Sequence, residues 1–284
     1  MRIFFFIGFI SICYLVNSQN NVVGARATAL GGVSSTFSDV WSAHNNQAGL
    51  ADLHQIEAGA YYENRFLVKE LNYSAFVAAI PLKKNGGFGL SYTNFGFSVF
   101  RQTKVGLGYG MRFSENFSAG VQLDYFQARI NDATNNYGNK GIFTGELGFL
   151  AKLTKQVSVS GHLYNIARAK IASYNNEIIP VVLKFGLHYK VSERVSLLTE
   201  AEKGSYTPMN IKGGVEYNPA KDFYLRAGAN SNPMQMSFGA GVKYQELNFD
   251  LSSSWHSILG FSPQIGLSYR IGKPVREEKI KEIF

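Results

Sequence analysis

Cysteine is nearly absent from this chain: one residue, Cys13, in 284. Charge is scarce too, at 17% of residues, against ~25% in an ordinary soluble domain. Beyond the first 16 residues no apolar run is long enough to cross a bilayer as a helix. These shortages exclude a disulfide scaffold and a polytopic helical membrane protein. No HExxH, Asp-rich loop, cysteine cluster or Walker A stretch occurs, so no metal or cofactor is expected. Gly106-x-Gly108-x-Gly110 alternates within a strand pattern with no helix after it, which makes it wall packing rather than a phosphate loop. The net charge of +8 is scattered singly, with no helix–turn–helix or finger spacing, so no nucleic-acid partner is expected. What is present excludes disorder: 14% aromatics, 29 glycines and 45% hydrophobic residues. Mean hydropathy is only −0.08. Apolar and polar residues are therefore finely mixed.

Met1-Arg2 followed by IFFFIGFISICYLV reads as a signal peptide over 1–18, with cleavage after Ser18. Cys13 lies inside it, so the exported mature chain has no cysteine.

From about residue 54 to residue 271 the pattern has period 2. Phe117, Ala119, Val121, Leu123 and Tyr125 alternate with Ser118, Gly120, Gln122 and Asp124. Val181, Leu183, Phe185, Leu187 and Tyr189 alternate with Lys184, Gly186, His188 and Lys190 across the same kind of span. Fourteen such strands can be drawn, among them 86–95, 100–113, 116–130, 141–153 and 155–168. Every second connection is tight (KKNG, SEN, TK, SER, NPAKD, Gln245-Glu246), and the longest of the others lie at 131–140 and 169–177. Turns at one rim and loops at the other predict an all-β, antiparallel, transmembrane barrel in the outer membrane, with both termini on the periplasmic rim. A soluble sandwich would carry Lys and Glu on its exposed face. Here the polar face is Gly, Ser, Asn and Gln with isolated charges. Phe113, Phe117, Tyr189, Tyr217, Phe223, Tyr244 and Tyr269 sit beside the tight turns, where an aromatic girdle belongs.

Residues 19–53 differ: small residues, four glycines and weak periodicity. They read as a segment that folds back into the lumen as a plug, ahead of a barrel at 54–271. The charged tail 272–284 leaves the barrel on the periplasmic side.

At the plug segment the chain resembles FadL-like fourteen-stranded outer-membrane barrels, and more closely the PorV/PorQ-type proteins of Bacteroidota. The residues concerned are Gly24-Ala25-Arg26, Ala29-Leu30-Gly31-Gly32, Asp39 and Asn46-Gln47-Ala48-Gly49-Leu50, with Gln47 at a family proline position. The resemblance implies a non-enzymatic barrel associated with type IX secretion or acting as a scaffold, whose partners are membrane lipid, secretion components or exported proteins. The alternative it implies is a FadL-like transporter of a hydrophobic small molecule, which predicts an apolar pocket reaching a gap in the wall beside the plug. A general porin would instead have a water-filled lumen.

Physical roles follow for single residues. Gly24, Gly31 and Gly32 permit close approach and positive φ. Arg26 suits an ion pair with an inward acid of the wall. Asp39 suits a helical cap or a wall cation, and Asn46 suits backbone groups near Gly49 at the turn into the first strand. Gly86, Gly87, Gly89 and Gly96 are candidates for a wall bend. Lumen-phase charges of both signs, Lys104 to Arg270, predict cross-strand pairing. A Ser160–His162–Glu200 or Glu202 arrangement is conceivable, but i,i+2 spacing along a strand, about 6.6 Å, is too long for a hydrogen bond.

Overall fold

The structure is a computed structural model, and it describes residues 21–131, 136–169 and 179–275. The signal peptide at 1–18 with Cys13, the first two residues of the plug segment and the tail from 276 onward lie outside them.

Fourteen strands form one closed antiparallel barrel in sequence order. They are β1 (Ile56–Asn64), β2 (Asn72–Pro81), β3 (Gly86–Gly96), β4 (Phe100–Ser114), β5 (Phe117–Asn131), β6 (Asn136–Lys152) and β7 (Val157–Tyr164), then β8 (Val182–Lys190), β9 (Val195–Gly204), β10 (Asn210–Ala220), β11 (Phe223–Ser231), β12 (Met234–Tyr244), β13 (Leu247–His256) and β14 (Gly260–Ile271). The seam closes by pairing Ile56 with Ile271 through to Glu63 with Gln264. Closure is what lipid demands, because an unpaired backbone edge has no water to bond there.

The period-2 pattern sorts the wall into two faces. On β5, Val121, Leu123 and Tyr125 are exposed while Gln122 and Asp124 are buried in the lumen. All seven girdle aromatics point outward. This apolar outer surface makes the protein an outer-membrane barrel.

Two sequence expectations change. Residues 136–140 of the expected loop belong to β6, which pairs with β5 through Arg129 with Asn139 and Ile130 with Gly138, while 132–135 lie outside the described residues. Asn, Asp and Gly gave this stretch turn chemistry, but a ladder uses backbone groups and tolerates it. Conversely, β7 stops at Tyr164, well short of 168, and the connection 165–181 is correspondingly long.

No wall gap opens at the candidate glycines. Gly87 pairs with Pro81 and Gly110, and Gly89 pairs with Ala79 and Gly108, in regular register. Gly86 pairs with Met111, and Gly96, at φ 101°, ends β3. The bare Cα atoms of Gly87 and Gly89 instead admit the plug. A Cβ on Gly87 would stand 2.6 Å from the Leu50 carbonyl oxygen, and one on Gly89 would stand 2.8 Å from the Ala43 Cβ.

Residues 23–53 fill the lumen. Val23, Ala29, Leu30, Val33, Ala43, Ala48, Leu50 and Ala51 have no exposed surface. This excludes the water-filled porin. The segment holds a short helix α1 (Ala25–Ala29), a helical turn α2 (Ser42–Asn45) and a 3-10 turn Gln47–Asp52. The residues flanking β1 and β14 meet at one rim, where the Val275 amide donates to the His54 carbonyl at 2.8 Å.

Candidate functional site

The site is the contact between plug and wall, and it begins with how α1 ends. Gly31 and Gly32 take φ 71° and 83°, and the Gly32 amide donates to the Ala27 carbonyl at 2.9 Å. This is a Schellman closure, which needs a left-handed residue at the turn. It sends the chain across β10–β12. There Ser237 on β12 accepts from the Gly31 amide at 2.9 Å and donates to the Ala29 carbonyl at 3.2 Å.

Arg26 reaches the inward acid expected of it. Its guanidinium donates to both carboxylate oxygens of Glu216 on β10, at 2.9 and 2.8 Å. Glu216 also accepts from Arg226, which donates to Asp250 at 2.6 Å. Asp39 accepts from the Trp41 amide at 3.0 Å and pairs with Arg26 at 3.5 Å, so its cation belongs to the plug and not to the wall. Burial pushes the Asp39 carboxyl above its ordinary value, and Arg26 offsets part of that.

A second group of contacts holds residues 32–36. Glu200 on β9 accepts from the amides of Ser34 and Ser35, at 3.1 and 2.9 Å, and from the Ser35 hydroxyl at 2.6 Å. Lys212 bridges Glu200 and Glu202 at 2.9 and 2.7 Å. A third group lies on β4–β7. The Gln47 amide donates to Gln122 at 3.1 Å and to Glu146 at 3.0 Å, while Glu146 also binds Lys104 at 2.6 Å and His162 at 2.8 Å. Asn46 donates to the Ser35 and Phe149 carbonyls and accepts from Ala48, and Gly49 abuts Phe37 and Ser42. Gly24, at φ 109°, leaves space for the Trp41 ring.

At the periplasmic mouth Asp52 receives Arg112 at 2.5 Å and Lys152 at 2.8 Å. Burial acts to raise its carboxyl, but the hydrogen bond and charge of Lys152, with the charge of Arg112, outweigh burial and hold it below the ordinary range. Burial, then the charge of Lys104, push His44 well below its ordinary value, so the neutral ring donates from Nε2 to the Asn21 carbonyl at 2.9 Å.

The conceivable Ser-His-Glu arrangement does not form. Ser160 donates to Ser35 at 2.9 Å, and His162 turns to Glu146. Among the described residues no three His, Cys, Asp or Glu side chains group as a metal site.

One arc of the lumen carries few charges, the inward acids of β1 being Glu57 and Glu63. On β1–β3 the inward residues Tyr61, Tyr73, Ala75, Val77, Ala79 and Phe95 join Val23, Val40, Trp41, Leu50 and Leu53 of the plug in one apolar cluster. Aromatic rings run along it. Trp41 meets Tyr61 edge-on at 6.4 Å, Tyr61 meets Tyr73 at 6.1 Å, and Phe95 meets Phe100 at 6.4 Å. Tyr73 and Phe95 are register partners on adjacent strands. The column passes from Leu53 and Ala79 near the periplasmic rim to Phe100 and Leu71 at the other rim. The sequence analysis did not single it out, although β2 signals it: its inward phase, Tyr73, Ala75, Val77 and Ala79, is apolar where a lumen face should be polar.

No protein-family model matches the chain. No curated protein matches it either. Solved structures do. The toluene transporter TodX of P. putida is 13% identical with TM-score 0.63, covering 90% of this chain and 100% of its own. The toluene transporter TbuX of Ralstonia pickettii is 10% identical with TM-score 0.64, covering 90% and 100%. A Pseudomonas aeruginosa FadL homologue is 12% identical with TM-score 0.64, covering 89% and 98%. Likeness at this identity shows the fold, and it is the fold of these channels. The closer resemblance to the PorV/PorQ group is thereby corrected, and the secretion or scaffold role with its type IX partners goes with it. The physical reason is that Gly24, Arg26, Gly31, Gly32 and Gly49 are what any chain threaded through this lumen requires, so they carry no information about a secretion partner.

Proposed function

We propose that the protein passes hydrophobic small molecules across the outer membrane along the β1–β3 arc of its lumen. The observation that carries this reading is the apolar column itself. It reaches from rim to rim in a lumen whose other arcs are lined by paired charges. An apolar solute loses nothing by leaving lipid or water for such a surface, whereas a polar one would leave its hydration unreplaced. The solved structures that share this fold, two toluene transporters and a FadL homologue, agree with it. Pairing is regular around β1–β3 and the column is filled, so passage requires plug residues, Trp41 foremost, to move aside.

The test uses cells with an intact lipopolysaccharide leaflet, with and without the protein, and measures uptake of toluene and of a disaccharide. Toluene uptake should rise several-fold with the protein, and disaccharide uptake should not. Equal toluene uptake with and without the protein would end this reading.

A further inference from the structure

Arg65 stands at the outer end of the column, immediately after β1. Its guanidinium carbon lies 5.4 Å from the Tyr73 ring centroid and 5.2 Å from that of Phe95. Among the described residues Glu63, at 3.3 Å, is its one ion-pair partner, and both side chains are mostly buried, at 15% and 10% exposure. A single cation thus covers two inward-facing rings near the outer end of the aromatic file, with Phe100 beyond them. The next two residues, Phe66 and Leu67, have φ of 55° and 57°. Consecutive left-handed conformations in bulky residues are strained backbone. The Phe66 amide is held by the Ser262 hydroxyl at 2.9 Å, and Leu67 is 66% exposed. The chain therefore accepts strain directly beside the residue it turns inward.

We propose that Arg65 is the specificity-determining residue at the mouth of the column, favouring flat aromatic molecules over saturated ones. This rests on the reading of the column as the passage, and it deepens that reading by naming the substrate class. Arg65 lies over both rings, so a ligand that stacks on Tyr73 or Phe95 from that side displaces the guanidinium. A planar aromatic molecule stacks on the rings and offers Arg65 its own π-face, so the cation exchanges one ring face for another. A saturated chain offers no such face, and Arg65 loses both ring contacts without return. Glu63, two residues away on the same strand, stays within reach while Arg65 shifts. The charge therefore remains paired throughout, as a mostly buried cation requires.

The experiment compares toluene with n-heptane, which has the same carbon number, in cells with an intact lipopolysaccharide leaflet. The full chain is compared with Arg65→Ala, Arg65→Gln and Phe95→Leu. Folding of each is checked by heat-modifiable gel migration, and Arg65→Gln keeps the polar contact to Glu63 should the alanine variant fail to fold. The full chain should prefer toluene. Loss of the cation should raise heptane uptake and cut the toluene-to-heptane ratio about fivefold, the size of one partly solvated cation–π contact. Phe95→Leu should lower the ratio with Arg65 in place. An unchanged ratio in a folded Arg65 variant that still takes up both compounds would overturn the role of Arg65 and leave the passage standing. No uptake of either compound by the full chain would overturn the passage, and this proposal with it.

Discussion

Gly31 of the plug and Gly228 of β11 meet backbone to backbone: a Cβ on Gly228 would fall on the Gly31 amide nitrogen, and one on Gly31 would stand 2.8 Å from the Ala229 nitrogen. Gly214 adds a third bare Cα, where a Cβ would stand 2.8 Å from the Leu30 Cα. The same arrangement recurs across the lumen, where Gly110 and Gly120 lie under Gln47 and Ala48. The plug is therefore bolted at two glycine cradles, with the Trp41 turn between them.

Gly228→Val should force the plug away from β11. Overpacking of this kind costs about 1–3 kcal/mol, and here the displaced atoms are backbone, so the upper end is expected. The measurement is the thermal midpoint of the refolded barrel in detergent, together with protease cleavage within residues 25–35. A variant as stable and as resistant as the parent would show that the cradle is not tight.

Arg26→Lys should weaken plug attachment less than Arg26→Gln. Lysine keeps the charge near Glu216 but not the two-pronged contact. Removing one partner of a buried pair costs about 3–5 kcal/mol. Arg26 is 26% exposed and Glu216 keeps Arg226, so a loss below that range is expected for glutamine. Equal midpoints for the two variants would contradict the geometry.

Gln47→Glu should be poorly tolerated. Its amide donates to both Gln122 and Glu146, and a carboxylate there would face Glu146 as a buried like charge with no donor between them. Refolding yield at pH 7 should fall and recover in part as pH is lowered. A yield independent of pH would place the side chain elsewhere.

Acid should loosen the periplasmic end of the plug. Asp52 titrates below the ordinary carboxylate range because Lys152 and Arg112 outweigh its burial. A depressed carboxyl adds stability above its unfolded value, about 3.9, and loses it as pH falls through the folded value. The Asp52 contribution should thus be constant from pH 7 to about 4 and fade below. Asp52→Asn should abolish that fading, as read from thermal midpoints of both proteins against pH. Parallel curves for the two proteins would deny Asp52 the role.

Strand phase was legible from the sequence because it is local. Whether Val121 or Gln122 meets lipid is written in a repeat of two residues, and the alternation exposes it directly. The count of strands, their tilt toward closure and the plug at the N-terminus followed from the same repeat, its tight turns and the stretch where it lapses. Residues 136–140 misled, because turn-forming side chains do not prevent backbone pairing.

Which plug residue meets which wall residue was not legible. Arg26 finds Glu216 across 190 positions, and Trp41, Tyr61, Tyr73 and Phe95 come into file only once β1, β2 and β3 are in register and the barrel has closed. Register and closure are properties of the whole sheet, and a shift of one residue would turn Tyr61, Tyr73 or Phe95 to the lipid. The sequence alone determined that there is an inside and an outside. The tertiary structure alone decided that one arc of the inside is aromatic, and that Arg65 stands over its end.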